Sequence, residues 1–457
     1  MPHWFTLGKE RNSPFRLPLL GSTCYPLKVT SPPQVDQIRA YMIQFFRFLV
    51  NWLKKLESKM VFSDSVLYHL REKDGFSQGQ VFFIRNICCY VCFLKIMIYA
   101  VTFYGTPVID QIEKKNGVGI AKFPIISAAS VQLYHCDNIY YLGLASHGYS
   151  QSFSKYAAFY PAWPMLLRFF GCGEFDGMYE SGFYWSPLVS AVISIVFWAA
   201  GLFLLFRWAT RTMSSRMAWS IVLANLLLPS SMTFWIGFSE SLFFFLFVCF
   251  LVFSDGARPW LAWIAAFFLS LTRPVGIMIL IIPAVSVLID HRRKVAIGSV
   301  FGFLLGWVVY FGTMWYTMGN PLSGWIAQKF YTNQPSLLYL FEMKKFFNSF
   351  MLVKSFHDPV GSFLDRFVFI LAVICVLRLW LIRPSWCLAA CCMLLIPAIT
   401  NQFLSFSRFT IVVIPLLVPI GLALLQMKKH WLFCVIALSL GTQYYLIYSY
   451  FSGEWGT

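Results

Sequence analysis

One carboxylate in this sequence has a setting suited to proton transfer: Asp137, in the segment HCDNIYYLGLASHGY at residues 135–149. Tyr140 and Tyr141 follow it, within a long stretch between apolar runs of the kind that often carries function. Partial burial makes a carboxylate more basic, so Asp137 could accept the proton of an acceptor hydroxyl, with Tyr140 beside it as a substrate contact. An aspartate here could equally be the N-cap of a helix, and both roles stay open.

Three further charged residues stand at the ends of apolar runs: Glu240 in WIGFSESLFFFLF, Arg273 in SLTRPVGI and Arg408 in NQFLSFSRFTIVVIP. An ionisable group beside an apolar span is a candidate for function, and a planar guanidinium pairs well with phosphate. The alternatives are a surface position for Glu240, and snorkelling or pairing with Glu240 for the arginines. Together with Asp137, these residues are expected to line one substrate site at one membrane face.

Polar and aromatic residues in two other segments are weaker candidates. Asn320 forms a Gly-Asn-Pro turn at the start of GNPLSGWIAQKF (319–330), and Gln328 in the same segment could hydrogen-bond sugar hydroxyls. Tyr160 lies in AAFYPAWPMLLRFFG (157–171), a pattern that indicates an interfacial helix. That helix could line the route of a lipid-borne substrate or simply pack over the bundle. The histidines lack metal-ligand spacing, so we predict no metal and no cofactor.

The composition indicates a protein that faces lipid. Of the 457 residues, 58% are hydrophobic and 12% are charged, whereas soluble domains carry roughly 25% charged residues. The net charge of +17 comes from basic residues in short clusters between apolar runs. A nucleic-acid-binding protein would instead gather such residues on one face or stripe, so we expect no nucleic-acid partner.

The apolar runs predict an all-α polytopic fold with about eleven transmembrane helices. The pairs around Gly237 and around Arg273-Pro274 could each form one re-entrant element instead. Two similar halves with matching broken helices, as in many transporters, are not evident. The predicted spans are 81–105, 184–206, 217–235, 238–254, 259–273, 274–290, 295–316, 366–382, 385–404, 408–427 and 431–450.

Basic residues between these runs predict the orientation. Short loops rich in lysine and arginine stay in the cytoplasm, which places the long connections 106–183 and 317–365 outside. Residues 1–80 are predicted to form a polar cytoplasmic segment without a cleaved signal peptide, and 81–457 are predicted to form the membrane domain. Within that segment 41–56 could be an interfacial helix, or the N-terminus could be disordered with a later true start. The basic residues on the predicted cytoplasmic side are Arg207, Arg211, Arg216, Arg258, Arg292, Arg293, Lys294, Arg378, Arg383, Lys428 and Lys429.

Most of the twelve cysteines lie inside apolar runs, where packed thiols are expected. Cys136 and Cys172 share the first outward loop, so a disulfide between them is an open alternative there. The sequence lacks a GxGxxG turn after a strand, a GxxxxGK[ST] loop and a GxSxG elbow, which disfavours nucleotide-driven and serine-hydrolase chemistry. A sugar donor used at an outward site must be anchored in the bilayer, which points to a polyprenyl phosphate carrier.

Six motifs in order, from about residue 131 to 414, resemble the GPI mannosyltransferase II (PIG-V) family and its bacterial relatives. These motifs are CDNIYYLGLASHGY, AFYPAWPMLLR, GFSESLFFFL, LTRPVGI, GNPLSGWIAQ and SRFTIVVIP. The resemblance implies a GT-C glycosyltransferase bundle, a polyprenyl-phosphate mannose donor as in GPI-anchor biosynthesis, and a catalytic role for Asp137.

This chain departs from the family pattern at several positions. Cys136 replaces the family's Trp before the Asp, and Phe238-Ser239-Glu240 replaces Tyr-Ser-Glu. Arg273-Pro274-Val275-Gly276 stands for Arg-x-Asn-Gly, and Asn320 stands where the bacterial relatives usually have Asp. The GNPLS likeness favours a bacterial inner membrane over the endoplasmic reticulum.

The sequence therefore predicts an inverting transferase that moves mannose from a polyprenyl-phosphate donor to a lipid-linked or cell-envelope glycan acceptor. Asp137 would act as base while Arg408 or Arg273 meets the phosphate charge. The alternatives are a GT-C transferase of another sugar, or a polytopic lipid or sugar transporter in which the same charges form a gate.

Overall fold

The computed structural model describes residues 78–105, 132–173, 186–289, 293–331, 359–398 and 405–452, all within one compact unit. Every regular element in these ranges is a helix. The α-helices are α1 (Gln78–Gly105), α2 (Asp137–His147), α3 (Ala162–Phe169), α4 (Ser186–Thr212), α5 (Ser215–Leu227), α6 (Glu240–Asp255), α7 (Pro259–Thr272), α8 (Ile281–Ile289), α9 (Arg293–Met318), α10 (Ser323–Ala327), α11 (Pro359–Ile382), α12 (Pro384–Ala398), α13 (Phe406–Thr410), α14 (Leu417–Gln426) and α15 (Lys429–Phe451).

Short 3₁₀ helices connect several of these elements. They are Gln151–Ala158, Pro229–Trp235, Pro274–Leu280, Gln328–Phe330 and Ile414–Leu416. Three of the five begin at or next to a proline, because proline fixes φ and lacks the amide that would continue an α-helix. The predicted proline break after Arg273 is present, and it separates α7 from the 3₁₀ helix Pro274–Leu280, which α8 follows.

Four helices in the described ranges are long and apolar enough to cross a membrane, in α1, α4, α9 and α15. The count rises to five if α5 and the following Pro229–Trp235 segment, which are bent by 84°, form one broken span. These helices are compatible with a multi-pass membrane protein. The count of about eleven spans is not confirmed. Apart from the run on α11, the remaining predicted runs fall on helices that are shorter or interrupted, and about 20 residues are needed to span the hydrocarbon.

Glycines bring α7 and α9 into close contact. A Cβ at Gly302 would lie 2.5 Å from the Trp263 carbonyl oxygen, and one at Gly306 would lie 2.6 Å from that of Phe267. Gly302 and Gly306 are four residues apart on one face of α9. Small residues at this spacing let two helix backbones approach closely, which is a common packing mode between membrane helices.

The bend after α5 is held by a buried lysine of α1. Lys95 is 1% exposed, and its Nζ donates to the Leu226 carbonyl at 3.3 Å and to Ser231 Oγ at 2.7 Å. Gln443 of α15 donates to the same Leu226 carbonyl at 3.0 Å. A helix end leaves carbonyls without helical partners, and both side chains donate to one such carbonyl before Pro229. Lys95 also joins this helix end to Ser231 beyond the proline.

The described part of the first predicted loop is folded. Residues 132–173 form α2, a 3₁₀ helix and α3, which pack through Trp163 and Leu167 against the ends of longer helices. Helix α3 buries these two side chains completely while Met165 and Phe169 are 66% and 82% exposed. The two apolar faces fit an interfacial helix, and its role along a substrate route stays a prediction.

The structure tests the disulfide that the sequence left open, whereas the predictions for the N-terminal segment and for parts of the loops fall outside the described residues. Cys136 and Cys172 are both free thiols, so the disulfide considered between them is absent. The segment 41–56, with all of residues 1–77, lies outside the described residues, as do 106–131, 174–185 and 332–358 of the predicted loops. The boundary between residues 80 and 81 therefore remains a prediction.

Candidate functional site: a four-residue ion cluster

Four charged side chains meet where four separate elements begin or end. Asp137 is the first residue of α2 and Glu240 the first residue of α6. Arg273 joins α7 to the following 3₁₀ helix, and Arg408 lies in the short helix α13. The positive end of a helix macrodipole favours a carboxylate in the first turn, so both acidic residues occupy electrostatically favourable positions.

Arg408 links the two carboxylates. Its Nε donates to Glu240 Oε1, and its Nη2 lies 2.5 Å from Asp137 Oδ2. Arg273 Nη1 pairs with the same Glu240 Oε1 at 2.7 Å. The chain of contacts therefore runs Asp137–Arg408–Glu240–Arg273, and two carboxylates balance two guanidiniums.

The four side chains differ in exposure, which separates their roles. Glu240 is fully buried, Arg273 and Arg408 are 8% and 11% exposed, and Asp137 is 24% exposed. Buried charges are tolerated only when they are paired and hydrogen-bonded. Glu240 is thus a fixed anchor for two cations, whereas Asp137 is the member of the cluster that an incoming molecule can reach.

The buried carboxylate keeps one acceptor atom without a hydrogen-bond partner. Both arginines contact Glu240 Oε1, while Glu240 Oε2 is buried and unpaired within the described structure. An orphaned carboxylate oxygen at a cluster of charges is costly unless another donor reaches it.

Aromatic rings cover both guanidiniums. The Phe238 ring centroid lies 4.4 Å from Arg408 Cζ, and the Phe409 centroid lies 5.2 Å from Arg273 Cζ. Cation–π contacts strengthen when water is excluded, so these rings hold the cations in place while shielding them from solvent.

Ser239 and Tyr141 extend the polar contacts of the cluster. The Tyr141 hydroxyl and Ser239 Oγ are 2.7 Å apart, and Arg273 Nη1 donates to Ser239 Oγ at 3.4 Å. Burial, followed by the charge of Asp137, raises the pKa of Tyr141, so this hydroxyl stays neutral. Sequence reasoning gave Tyr141 no part in the cluster, although its position four residues after Asp137 places both on one helix face.

Asp137 is not an N-cap, which corrects one of the two roles left open. Cys136 is the N-cap residue, with a positive φ of 51°, and Asp137 is the first helical residue. The carboxylate of Asp137 therefore contacts Arg408 instead of α2 backbone amides. Burial, and secondarily the Asp137 carboxylate, raise the pKa of Cys136 to about 12, so its thiol remains protonated.

The start of α2 is fixed by Asn138, which is completely buried. Its Nδ2 donates to the Leu133 carbonyl at 2.9 Å, and its Oδ1 accepts from Ser190 Oγ of α4 at 3.2 Å. The Leu133 carbonyl also accepts from the Tyr450 hydroxyl of α15 at 3.2 Å. These contacts tie Asp137 to two long helices.

Tyr140 lies on an aromatic cluster beside the ions. Its ring stacks on Phe159 at 4.8 Å between centroids and meets the edge of Tyr331 at 5.3 Å. Lys155 Nζ lies 5.5 Å from the Tyr140 centroid. Tyr140 follows Asp137 by three residues, so α2 carries the aromatic cluster and the carboxylate side by side.

Three other predicted contact residues have their contacts with residues outside the ion cluster. Tyr160 stacks on Tyr310 at 4.1 Å, and Gln328 Nε2 donates to the Ala158 carbonyl at 3.2 Å. Asn320 is exposed, and its Oδ1 accepts from the Leu322 amide at 2.9 Å to close a turn. Their predicted roles in substrate binding stay predictions, and each has a structural contact that accounts for its position.

Among the residues that the structure describes, no three His, Cys, Asp or Glu side chains gather as a possible metal site. The absence of a metal stays a prediction. Asp137 and Glu240 both pair with the Arg408 guanidinium.

The chain was compared with protein-family models, curated proteins and solved structures. None of the three comparisons gives a match.

Proposed function

We propose that this chain is a membrane glycosyltransferase that moves mannose from a polyprenyl-phosphate donor to a lipid-linked or cell-envelope glycan acceptor. The observation that carries the proposal is the Arg408 guanidinium, which holds a buried carboxylate and a partly exposed carboxylate through different nitrogen atoms. This arrangement supports a site in which an anionic donor and a proton acceptor share one arginine.

The cluster is electrically balanced, so a donor phosphate must exchange with a carboxylate. Asp137 is the more exposed partner, and it contacts Arg408 through Nη2 alone, while Glu240 retains the Nε contact. A phosphate oxygen can therefore replace Asp137 on Nη2 without freeing the arginine from its anchor. Guanidinium groups bind phosphate through parallel hydrogen bonds, which suits this exchange.

The exchange would free Asp137 to act as the base. In a single displacement the bond from the mannose C1 to the phosphate oxygen breaks, and its electron pair leaves with the phosphate. The acceptor oxygen forms the new bond to C1 from the opposite face, and its proton passes to Asp137. The negative charge that grows on the lipid phosphate is met by Arg408 and Arg273.

A lipid-anchored donor fits the expectation that the site faces outward. Nucleotide sugars are not present on that side of the membrane, so the donor has to be held in the bilayer. The aromatic cluster around Tyr140 lies next to Asp137 and offers ring faces and hydroxyls for a sugar. The family resemblance supports mannose as the sugar, and another hexose or aminoarabinose is compatible with the same side chains.

A transporter is the second candidate, because one apolar segment bends by 84° between α5 and Pro229–Trp235 and buries Lys95 beside the break. Interrupted helices with buried charges occur at the substrate sites of many transporters. If the chain is a transporter, the Asp137–Arg408 pair is a gate that separates when the transported molecule passes.

The decisive experiment assays the purified full-length chain for transfer from labelled polyprenyl-phosphate mannose to membrane lipid acceptors. Asp137→Asn should lower transfer by roughly 10²-fold or more, the scale expected when a general base is lost. Asp255→Asn is the matched control. Asp255 lies at the far end of α6 and accepts from Trp208 Nε1 at 2.6 Å, a bond that asparagine can keep.

Full activity of Asp137→Asn would remove Asp137 from the role of base. Absence of transfer by the wild-type chain, together with uptake of labelled lipid or sugar into proteoliposomes, would favour the transporter. Competition by other polyprenyl-phosphate sugars distinguishes mannose from a different donor.

A further inference from the structure

Arg408 lies in a short helix whose own contacts cannot fix its position. Helix α13 contains only five residues, and Ser405 precedes it with a left-handed φ of 55°. The Ser405 carbonyl accepts from the amides of Arg408 and Phe409 at 3.0 and 3.1 Å. A left-handed serine is strained, and such a conformation persists only when surrounding contacts hold it.

The neighbouring helix α11 supplies a direct contact to this segment. Asp365 of α11 is 3% exposed, and its Oδ1 accepts a hydrogen bond from the Ser407 amide at 2.8 Å. Ser407 is the second residue of α13, where a backbone N–H has no partner inside the helix. The Asp365 carboxylate therefore takes the place of an N-cap side chain, supplied from another helix.

Two more contacts hold the same five residues. The Phe406 ring is fully buried and meets Phe369 of α11 edge to face, with 5.2 Å between centroids. Phe369 follows Asp365 by four residues, so both lie on one face of α11. On the other side, Ser230 Oγ donates to Ser407 Oγ at 2.8 Å.

We propose that Asp365 is a positioning residue that holds the α13 backbone so that Arg408 can contact both Asp137 and Glu240. The role rests on the proposed function in one respect only, since its effect on catalysis requires the transfer reaction. Asp365 itself does not touch the four-residue cluster. It acts one residue away, by fixing the main chain from which the Arg408 side chain extends.

The first test compares two substitutions in the transfer assay. Asp365→Ala leaves the Ser407 amide buried without an acceptor and should lower kcat/KM by about tenfold or more. Asp365→Asn retains an Oδ1 acceptor and should keep most of the activity. If Asp365→Asn is as inactive as Asp365→Ala, hydrogen-bond acceptance is not the role, and the proposal is wrong.

A double-mutant cycle tests whether Asp365 acts through Arg408. Arg408→Lys removes the forked contact and should lower transfer by roughly 10²-fold, with measurable residual activity. In that background Asp365→Ala should add less than about a twofold loss, since coupled residues are not additive. An equal loss in both backgrounds would mean that Asp365 affects the protein independently of Arg408.

A cross-link measures the position of α13 without any enzymatic assay. Cysteines replacing Ser230 and Ser407 should form a disulfide on mild oxidation, because the two Oγ atoms are 2.8 Å apart. Mass spectrometry of the linked peptides gives the yield, which Asp365→Ala should lower and Asp255→Ala should leave unchanged. An unchanged yield in Asp365→Ala would overturn the positioning role.

The two measurements separate the inference from the proposed function. A wild-type chain without transfer activity would contradict the glycosyltransferase while the cross-link still decides the role of Asp365. Active wild type with an unaffected cross-link would contradict the role of Asp365 alone.

Discussion

At the scale of single residues, the two acidic members of the cluster have the same partner but different surroundings. Glu240 is fully buried between two guanidiniums, and Asp137 is partly exposed with one. Burial makes the first carboxylate a structural anchor, because removing one partner of a buried ion pair leaves an uncompensated charge. Exposure makes the second one available to substrates.

This difference predicts that two substitutions change the stability of the protein by different amounts. Glu240→Ala leaves Arg273 and Arg408 buried without their shared anion and should destabilise the fold by about 3–5 kcal/mol. Asp137→Asn keeps Arg408 anchored by Glu240 and should change stability by less than about 1 kcal/mol. Thermal unfolding in detergent, followed by tryptophan fluorescence, measures both variants.

The result at Glu240 also tests its burial. A Glu240→Ala chain as stable as wild type would mean that this carboxylate is not the anchor of the two arginines. Asp255→Ala, at the other end of α6, controls for the loss of a carboxylate from a terminus of this helix.

At the scale of elements, the cluster depends on the turn that leads into α6. Gly237 has a φ of 82°, and a Cβ there would lie 2.4 Å from Ser190 Oγ and 3.1 Å from Asn138 Nδ2. Its carbonyl accepts from Trp163 Nε1 at 3.0 Å, which ties the turn to α3. Glu240 is three residues further along, so this turn sets where α6 begins.

Gly237→Ala should therefore destabilise the protein by about 1–3 kcal/mol, since alanine combines a left-handed backbone with a steric clash. We also expect lower transfer activity, because Asn138 and α2 must shift with the turn. Gly441→Ala is the control: a Cβ there meets no atom within 4 Å in the middle of α15. The unfolding temperature should fall for Gly237→Ala and stay unchanged or rise for Gly441→Ala. Equal stability of the two variants would contradict the role given to the turn.

At the scale of the whole molecule, the predicted orientation puts the ion cluster and the basic connections on opposite sides of the membrane. The predicted orientation puts 132–173 outside and the connection between α14 and α15 in the cytoplasm, because short basic loops are retained there. Gln151 in the first region and His430 in the second are both exposed, so each can carry a reporter cysteine.

Labelling from outside intact cells tests this orientation. With Cys89 and Cys434 replaced by serine, since both are exposed, a membrane-impermeant maleimide should label Gln151→Cys directly. His430→Cys should be labelled only after the membrane is opened. The reverse pattern would place the cluster on the cytosolic side and contradict a donor drawn from the outer leaflet.

The helices and their breaks can be predicted from the sequence because they depend on local chemistry. The apolar runs predict helices, and prolines predict breaks such as the one after Arg273, since proline cannot continue an α-helix. Charges near apolar runs are rare because an ionisable group there is costly to bury, so such residues are often functional. This argument singles out Asp137, Glu240, Arg273 and Arg408. The sequence predicts the lengths of the helices less well than their presence, and the count of about eleven spans remains unconfirmed.

The tertiary structure decided which charges pair and which side chains hold them. Position in the sequence cannot tell that Arg408 contacts two carboxylates 168 and 271 residues away, or that Asp137 faces an arginine instead of capping its helix. Nor does a lone aspartate in α11 reveal that it accepts the Ser407 amide. Such contacts depend on how distant helix ends are brought together by packing, whereas local sequence patterns determine only the helices themselves.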